Sequence, residues 1–221
     1  MRRVPGPRHV VAASAAVALL ATAQDGRAQV RWDASLQGGV NERILTSGAG
    51  SAGLGPIVDL KAHAALLPLV RIGAYAAYEV SPSSGERLRQ IAAAGLDARV
   101  ALPLLRGDWH SWAFLGAGYA GVRAPSYGTS LVDPITRATT PASVASGGGG
   151  FVEVPLGVGA AYRVRRPWEL CVELGGKIGF LHNGSVYEGR TAVAPSGSLR
   201  VDPAGNDTWA IFLTVGVGID R

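Results

Sequence analysis

Residues 208–219 alternate strictly between two kinds of side chain. Every second position is large and apolar, and these positions are Trp209, Ile211, Leu213, Val215, Val217 and Ile219. The positions between them are Ala210, Phe212, Thr214, Gly216 and Gly218. Because successive side chains of a strand point to opposite faces, this alternation predicts a β-strand with one wholly apolar face.

The same alternation returns along the rest of the chain and predicts eight strands in all. Their ranges are 30–41, 57–66, 70–80, 88–102, 111–123, 151–165, 168–181 and 208–219. Short turns are expected near Pro68, Pro103 and Pro167, whereas residues 43–56, 124–150 and 183–207 form long connections rich in glycine, serine and other turn residues. Even strand number and alternating loop lengths are typical of an up-and-down barrel.

The two rows of each predicted strand differ in charge. The apolar rows carry no charged residue, and in the fifth strand we assign this row to Trp112, Phe114 and the residues that alternate with them up to Val122. The opposite rows carry Lys61, Arg71, Arg89, Arg99, Arg123, Arg163, Arg165, Lys177, Asp33, Asp59, Glu79, Asp97, Glu153, Glu169 and Glu173. An arginine or lysine that faces lipid near the bilayer midplane costs roughly 2–4 kcal/mol. The charged rows are therefore expected inside a transmembrane barrel; a soluble sandwich with one solvated face is the alternative.

The amino-acid composition narrows the class of protein further. Charged residues make up 17% of the chain and hydrophobic residues 48%, against about 25% charged in ordinary soluble domains. Outside the N-terminus the chain has no run of apolar residues long enough for a spanning helix. Glycine is abundant, with 31 residues, but the apolar content argues against disorder.

The first 28 residues have the pattern of a cleavable signal peptide. A basic start with Arg2, Arg3 and Arg8 precedes an apolar, alanine-rich run that is too short to span a bilayer. We predict cleavage after Ala23, with Ala28 as the second candidate. Removal of residues 1–28 lowers the formal charge from +5 to +2, so the basic composition gives no reason to infer nucleic-acid binding.

The pattern over residues 30–221 resembles the small eight-stranded outer-membrane β-barrels, the opacity-type and OmpA/OmpX-like group. The resemblance implies an all-β, antiparallel transmembrane barrel in a bacterial outer membrane, with both termini periplasmic. It also implies contact with outer-membrane lipid and with the outer-membrane assembly machinery. Such chains usually end in an aromatic residue, whereas this one ends in Ile219, Asp220 and Arg221.

Two sets of residues follow from this interpretation. A charge network in the lumen is expected from Asp59, Lys61, Arg71, Glu79, Asp97, Arg99, Glu153, Arg163, Glu173 and Lys177. Aromatic girdles are expected from Trp32, Trp112, Tyr162 and Trp168 at the turn side, and from Tyr78, Phe180 and Trp209 at the loop side. Tyrosine and tryptophan favour membrane boundaries because an apolar ring and a polar tip both find suitable surroundings there.

The sequence offers few residues for catalysis. His182, Ser185 and Glu188 are candidates for a lipid-modifying site, since a nucleophile needs a base and an orienting acid. No cofactor or metal site is predicted, and Cys171, the single cysteine, is expected to fill space in the inward row. The glycines at 147–150 lack the lysine and hydroxyl residue of a phosphate loop, and we interpret them as a flexible loop tip.

We therefore expect a structural or surface-interaction protein that binds an extracellular ligand through its long loops, residues 43–56, 124–150 and 183–207. A membrane-embedded, lipid A deacylase-like enzyme is the first alternative, and a small porin-like channel or carrier is the second. An eight-stranded lumen is just wide enough to be filled by its own side chains, which argues against a general pore.

Overall fold

The computed structural model describes residues 31–45, 54–83, 87–105, 107–132, 137–188, 191–194, 197–200 and 207–221. The predicted signal peptide, the start of the first predicted strand and parts of the long connections lie outside the described residues. No described helix is long and apolar enough to cross a membrane.

Eight antiparallel strands close into a barrel. In chain order the elements are β1 (Trp32–Leu45), β2 (Leu54–Leu67), β3 (Val70–Ser83), β4 (Arg87–Leu102), β5 (Trp109–Ala124), β6 (Tyr127–Val132), β7 (Thr139–Val144), β8 (Gly147–Arg165), β9 (Trp168–Asn183), α1 (Ser185–Glu188), β10 (Thr191–Ala194), β11 (Gly197–Arg200) and β12 (Asp207–Asp220). The order around the barrel is β1, β12, β9, β8, β5, β4, β3, β2. All-β architecture and the eight-stranded ring agree with the sequence prediction.

The first and last strands close the ring. Leu36 lies opposite Val217 and Val40 opposite Leu213 in the register of β1 and β12. The backbones of Trp32 and Arg221 exchange two hydrogen bonds of 2.9 Å at the end of this pairing. Since a closed ring leaves no unpaired strand edge, its backbone groups are satisfied without water, as a bilayer requires.

The two ends of the barrel differ. Short turns join β2 to β3, β4 to β5 and β8 to β9 at the end that also holds both barrel termini. The opposite end carries the longer connections, and two of them contain structure: β6, β7, β10 and β11 form a second sheet in the order β11, β10, β7, β6. Ala192 and Val193 of β10 pair with Val144 and Ser143 of β7, so residues from two separate loops share this outer sheet.

The glycines at 147–150 are not a loop tip, contrary to the sequence prediction. They belong to β8 and pair with β5, Gly147 opposite Ala124 and Gly150 opposite Gly121. Their lack of side chains hid the strand pattern, because strand periodicity is visible only where side chains alternate.

The facing of the strands follows the predicted rows everywhere except in β5. Apolar side chains such as Leu36, Leu174 and Val215 point outward and are exposed on the barrel surface, whereas Glu79, Glu153 and Glu173 point inward and are fully buried. The outer surface between the two ends is thus an apolar belt. Burial of this belt in lipid removes its apolar surface from water, which stabilises the protein by about 25 cal/mol for each Å² buried.

In β5 the predicted facing is wrong. Trp112 and Phe114 are buried in the lumen, while Leu115 and Tyr119 face outward and Arg123 is exposed on the outer surface. Both rows of this strand hold large apolar residues beside glycines, so alternation alone could not assign them.

Inward-facing glycines on the next strand explain why the lumen accepts the two rings. A Cβ atom at Gly159 would lie 2.4 Å from the Trp112 ring, and one at Gly157 would lie 2.8 Å from the Phe114 ring. The glycines of β8 therefore provide the space that the aromatic residues of β5 occupy.

Candidate functional site

Among the described residues, buried charged side chains are concentrated in the lumen of the barrel. Nearly all of them belong to the inward row of a strand, because every second side chain of a strand points to the same face. They form three layers between the end with short turns and the end with long loops.

The layer nearest the short turns is built around Asp220 of the last strand. Its carboxylate accepts hydrogen bonds from Arg71 at 3.0 Å and from Arg163 at 3.1 Å. Arg71 also donates to Asp33 at 2.5 Å, and Arg163 donates to Glu169 at 3.2 Å. The layer thus connects β1, β3, β8, β9 and β12 through side chains alone.

The middle layer centres on His63. Its Nδ1 lies 3.0 Å from Asp33 and its Nε2 lies 2.9 Å from Asp97. His63 is buried, and the two acids hold its ring from both sides in the wall of the lumen.

The middle layer continues across the barrel through Glu173. Arg99 donates to Glu173 at 2.8 Å and to Asp33 at 3.3 Å, and Lys61 forms a second ion pair with Glu173. The Arg99 guanidinium lies 4.8 Å from the centre of the Trp112 ring, and the Lys61 ammonium lies 4.5 Å from that of Phe114. The aromatic rings of β5 therefore add cation–π contacts to the ion pairs.

The layer nearest the long loops is a network of four charged groups. Arg43 donates to Glu79 at 2.8 Å and to Glu153 at 2.9 Å. Lys177 pairs with Glu79 and lies 3.6 Å from Glu153. Asp59 is buried and lines a small gap together with Lys61 and Lys177. All four members of the network are almost completely excluded from solvent.

An apolar cluster lies above this network. Val186 and Tyr187 of α1 are buried against the lumen wall. The Tyr187 ring meets Phe151 edge-on, with centroids 6.2 Å apart, and Phe151 also receives the Arg43 guanidinium at 5.1 Å. The helical turn thus covers the end of the charged lumen with side chains.

Each residue predicted for the lumen network is placed inside the barrel, from Arg71 and Arg163 at the short-turn end to Glu79, Glu153 and Lys177 at the other. The network also contains Arg43, which the sequence pattern places in a loop, and Asp33, His63, Glu169 and Asp220, which the prediction does not include. Arg43 shares the parity of Asn41, so continuing the alternation of β1 by two residues would have found it.

The predicted aromatic residues are placed as follows. Trp32, Tyr162 and Trp168 lie on the outer surface at the short-turn end, and Tyr78, Phe180 and Trp209 lie on it toward the long loops. Trp112 is instead inside, and Trp109 occupies the outer surface there, with its ring 5.0 Å from that of Tyr162. The sequence prediction for Trp112 is therefore wrong for the same reason as the facing of β5.

The catalytic candidates lie at the loop end. The Ser185 hydroxyl lies 3.2 Å from the amide nitrogen of Gly148 and 3.3 Å from its carbonyl oxygen. The His182 ring stacks on Phe151 with centroids 5.1 Å apart and meets Tyr187 at 4.8 Å. Glu188 ends α1 and is exposed. In the described part of the chain, no three His, Cys, Asp or Glu residues are grouped so that they could hold a metal ion.

Comparison with solved structures finds three chains that align with most of this chain. A major outer membrane protein of Thermus thermophilus superimposes with a TM-score of 0.54 and 15% identity, over 86% of this chain and 99% of that chain. Neisserial surface protein A gives a TM-score of 0.47 and 14% identity over 85% of this chain and 96% of that one. The attachment invasion locus protein Ail of Yersinia pestis gives 0.41 and 9% over 86% and 98%. No family model and no curated protein matches this chain.

The chain has the fold of a small eight-stranded outer-membrane β-barrel. The match to the Thermus thermophilus protein supports this assignment, since it covers 86% of this chain and 99% of that chain. The apolar belt and the buried charges give the physical reason, because a lipid-facing exterior and a polar interior are the arrangement that a bilayer stabilises. The arrangement is that of a barrel that spans a bilayer.

Proposed function

We propose that this protein is a non-conducting outer-membrane barrel that presents a structured interaction surface on the cell exterior. The observation that carries the proposal is the outer sheet of β6, β7, β10 and β11, which is built from two separate loops. Ordering two loops into one sheet costs conformational entropy. We infer that this cost is offset by function, because a surface of fixed shape is what recognition of a ligand requires.

The filled lumen supports a non-conducting role. The ion pairs of Arg43, Lys61, Arg99 and Lys177 lie across the lumen, and Val186 and Tyr187 of α1 cover its outer end. An ion would have to break several buried pairs to pass. Planar-bilayer recording of the purified barrel should show no steady conductance; a large, stable current in most insertion events would refute this part of the proposal.

The interaction surface can be tested by photo-crosslinking in intact cells. Val193 of β10 is exposed on the outer sheet, so a photo-reactive amino acid at this position should give discrete crosslinked protein or glycan products. Val215 is equally exposed but lies on the apolar belt of β12, and the same probe there should give lipid adducts alone. If both positions give lipid adducts alone, the outer sheet is not an interaction surface.

The contacts at the loop end support this function over lipid hydrolysis. A nucleophilic serine needs a base within hydrogen-bond reach, whereas the Ser185 hydroxyl lies against the backbone of Gly148 and the His182 ring stacks on Phe151. Lipid A from cells with and without the gene should have the same mass spectrum. A gene-dependent loss of an acyl chain that Ser185→Ala abolishes would replace the interaction role with the enzymatic one.

A further inference from the structure

A cavity of about 280 Å³ lies inside the barrel at the end with short turns. Its polar wall contains the guanidinium groups of Arg71, Arg99 and Arg163, and Trp112 and Leu69 contribute apolar surface. Small-molecule sites usually have about 300–1,000 Å³, and this cavity lies just under that range. This is below the size of most drug-like ligands and suits a small metabolite.

Three of the four carboxylates of this wall are already engaged in ion pairs, and the fourth, Asp108, is exposed. Asp33 accepts hydrogen bonds from Arg71 at 2.5 Å and Arg99 at 3.3 Å, and Asp220 accepts from Arg71 and Arg163. Glu169 faces Arg163 and His110, each at 3.2 Å. A cationic ligand would therefore have to displace an existing ion pair before it could bind any of these three acids.

The donors of the same wall are in surplus. A guanidinium offers five N–H groups, and Arg71 reaches both of its acids through Nη1 alone. Arg99 is 94% buried, with a relative exposure of 6%, and its Nε has no acceptor among the described residues. The N–H groups of Arg71 other than those of Nη1 are therefore the donors that an incoming oxyanion would use.

We propose that this cavity binds a small organic anion whose carboxylate or phosphate oxygens accept hydrogen bonds from Arg71, Arg99 and Arg163. The Trp112 ring and the Leu69 side chain would contact the apolar part of the ligand. Access is from the periplasm, because the cavity lies at the short-turn end of the barrel. This role is separate from that of the outer sheet, which lies at the opposite end.

The test uses the folded barrel in detergent and a matched pair of probes. Benzoate and benzylamine share one ring and differ in the sign of their charge, and benzoate has about the size that the cavity accepts. Isothermal titration should show binding of benzoate and none of benzylamine. Inorganic phosphate, as a third probe, should bind at the same guanidinium groups and compete with benzoate. Equal binding of benzylamine, or no binding of either anion, would overturn the proposal.

Cys171 supplies a second readout because it lines the cavity and is the chain's single cysteine. Its rate of modification by a small thiol reagent, followed by mass spectrometry, should fall when benzoate is present and stay unchanged with benzylamine. Binding of benzoate without any protection of Cys171 would place the anion elsewhere and refute this location.

Two variants identify the residues responsible. Arg163→Gln should weaken benzoate binding about tenfold to a hundredfold, the worth of a hydrogen bond between charged groups. Arg165→Gln removes the same charge from an exposed position near the same rim that does not line the cavity, and should leave affinity unchanged. Arg71→Gln replaces Arg163→Gln if the latter loses the heat-modifiable folded form. Equal weakening in the Arg165 and cavity variants would show a general charge effect and no site.

Discussion

Glu173 gives the sharpest test of the charged lumen. Its carboxylate is fully buried and is shared between Arg99, at 2.8 Å, and Lys61. Glu173→Ala removes the acceptor and leaves both cations inside the barrel, where their side chains are 8% and 5% exposed. Breaking one partner of a buried ion pair typically costs about 3–5 kcal/mol, so we expect Glu173→Ala to destabilise the barrel by about this amount.

The neighbouring residue provides the control, because it faces the other way. Leu174 points outward on the apolar belt, midway along β9 between Trp168 and Phe180. Leu174→Ala should destabilise the barrel much less than Glu173→Ala, since lipid replaces the lost contacts. Leu174→Arg places a cation in lipid and should cost roughly 2–4 kcal/mol.

A double variant separates the lost ion pair from a general loss of packing. Lys61→Met together with Glu173→Leu removes both charges and keeps side-chain volume, and methionine at this position lies beside the Phe114 ring, where sulfur–aromatic contact is favourable. Replacing a buried pair by apolar residues is often neutral or stabilising. Arg99 keeps Asp33 but still loses Glu173, so the double variant should recover the part of the stability loss that comes from the unpaired Lys61.

The assay is urea unfolding of the barrel in lipid vesicles, followed by tryptophan fluorescence and by heat-modifiable gel mobility. A loss of about 3–5 kcal/mol corresponds to a change of about two to three and a half orders of magnitude in the unfolding constant. If Leu174→Arg is harmless while Leu174→Ala destabilises strongly, the faces are assigned the wrong way round. The chain would then be a soluble barrel with an apolar core.

Two further outcomes are expected in the same assay. His63→Leu leaves Asp33 and Asp97 buried without the ring that lies between them, so it should lower the stability of the barrel by about 3–5 kcal/mol. His63→Gln can still donate through its amide and should lose less stability. Equal losses in the two variants would argue against the bridging role. Gly159→Val should destabilise the barrel because the new Cβ meets the Trp112 ring at 2.4 Å; Trp112→Ala should suppress this loss, and additive losses would show that the ring does not occupy that space.

Alternation in the sequence could predict the barrel because the bilayer selects one face of every strand. A single charge on the outer row of β12 would meet lipid, so Trp209 to Ile219 carry a clear pattern, and most other strands share it. The interior imposes no such rule. Lumen positions accept a charge, an aromatic ring or a glycine as long as the space is filled and the charges are paired.

This difference explains where the prediction failed. Trp112 and Phe114 fill the lumen beside the glycines of β8, and that complementarity joins residues distant in sequence, which a single strand cannot reveal. The apolar alternation of β1 ends at Val40 whereas the strand continues to Leu45, so Arg43 lies beyond the range that the pattern predicts. The outer sheet joins residues near 143 to residues near 193, and pairing across that separation has no local signature.

The ion pairs that cross the lumen also have a mechanical consequence. Lys177 of β9 and Glu79 of β3 stand on opposite sides of the ring, and Lys61 and Glu173 join β2 to β9 in the same way. Flattening the barrel under lateral pressure, or parting two neighbouring strands, would stretch these pairs and expose charge to lipid. The cross-section of the barrel should therefore stay round, and neighbouring strands should stay paired. A molecule in the lumen would then find no favourable route through the wall into the bilayer.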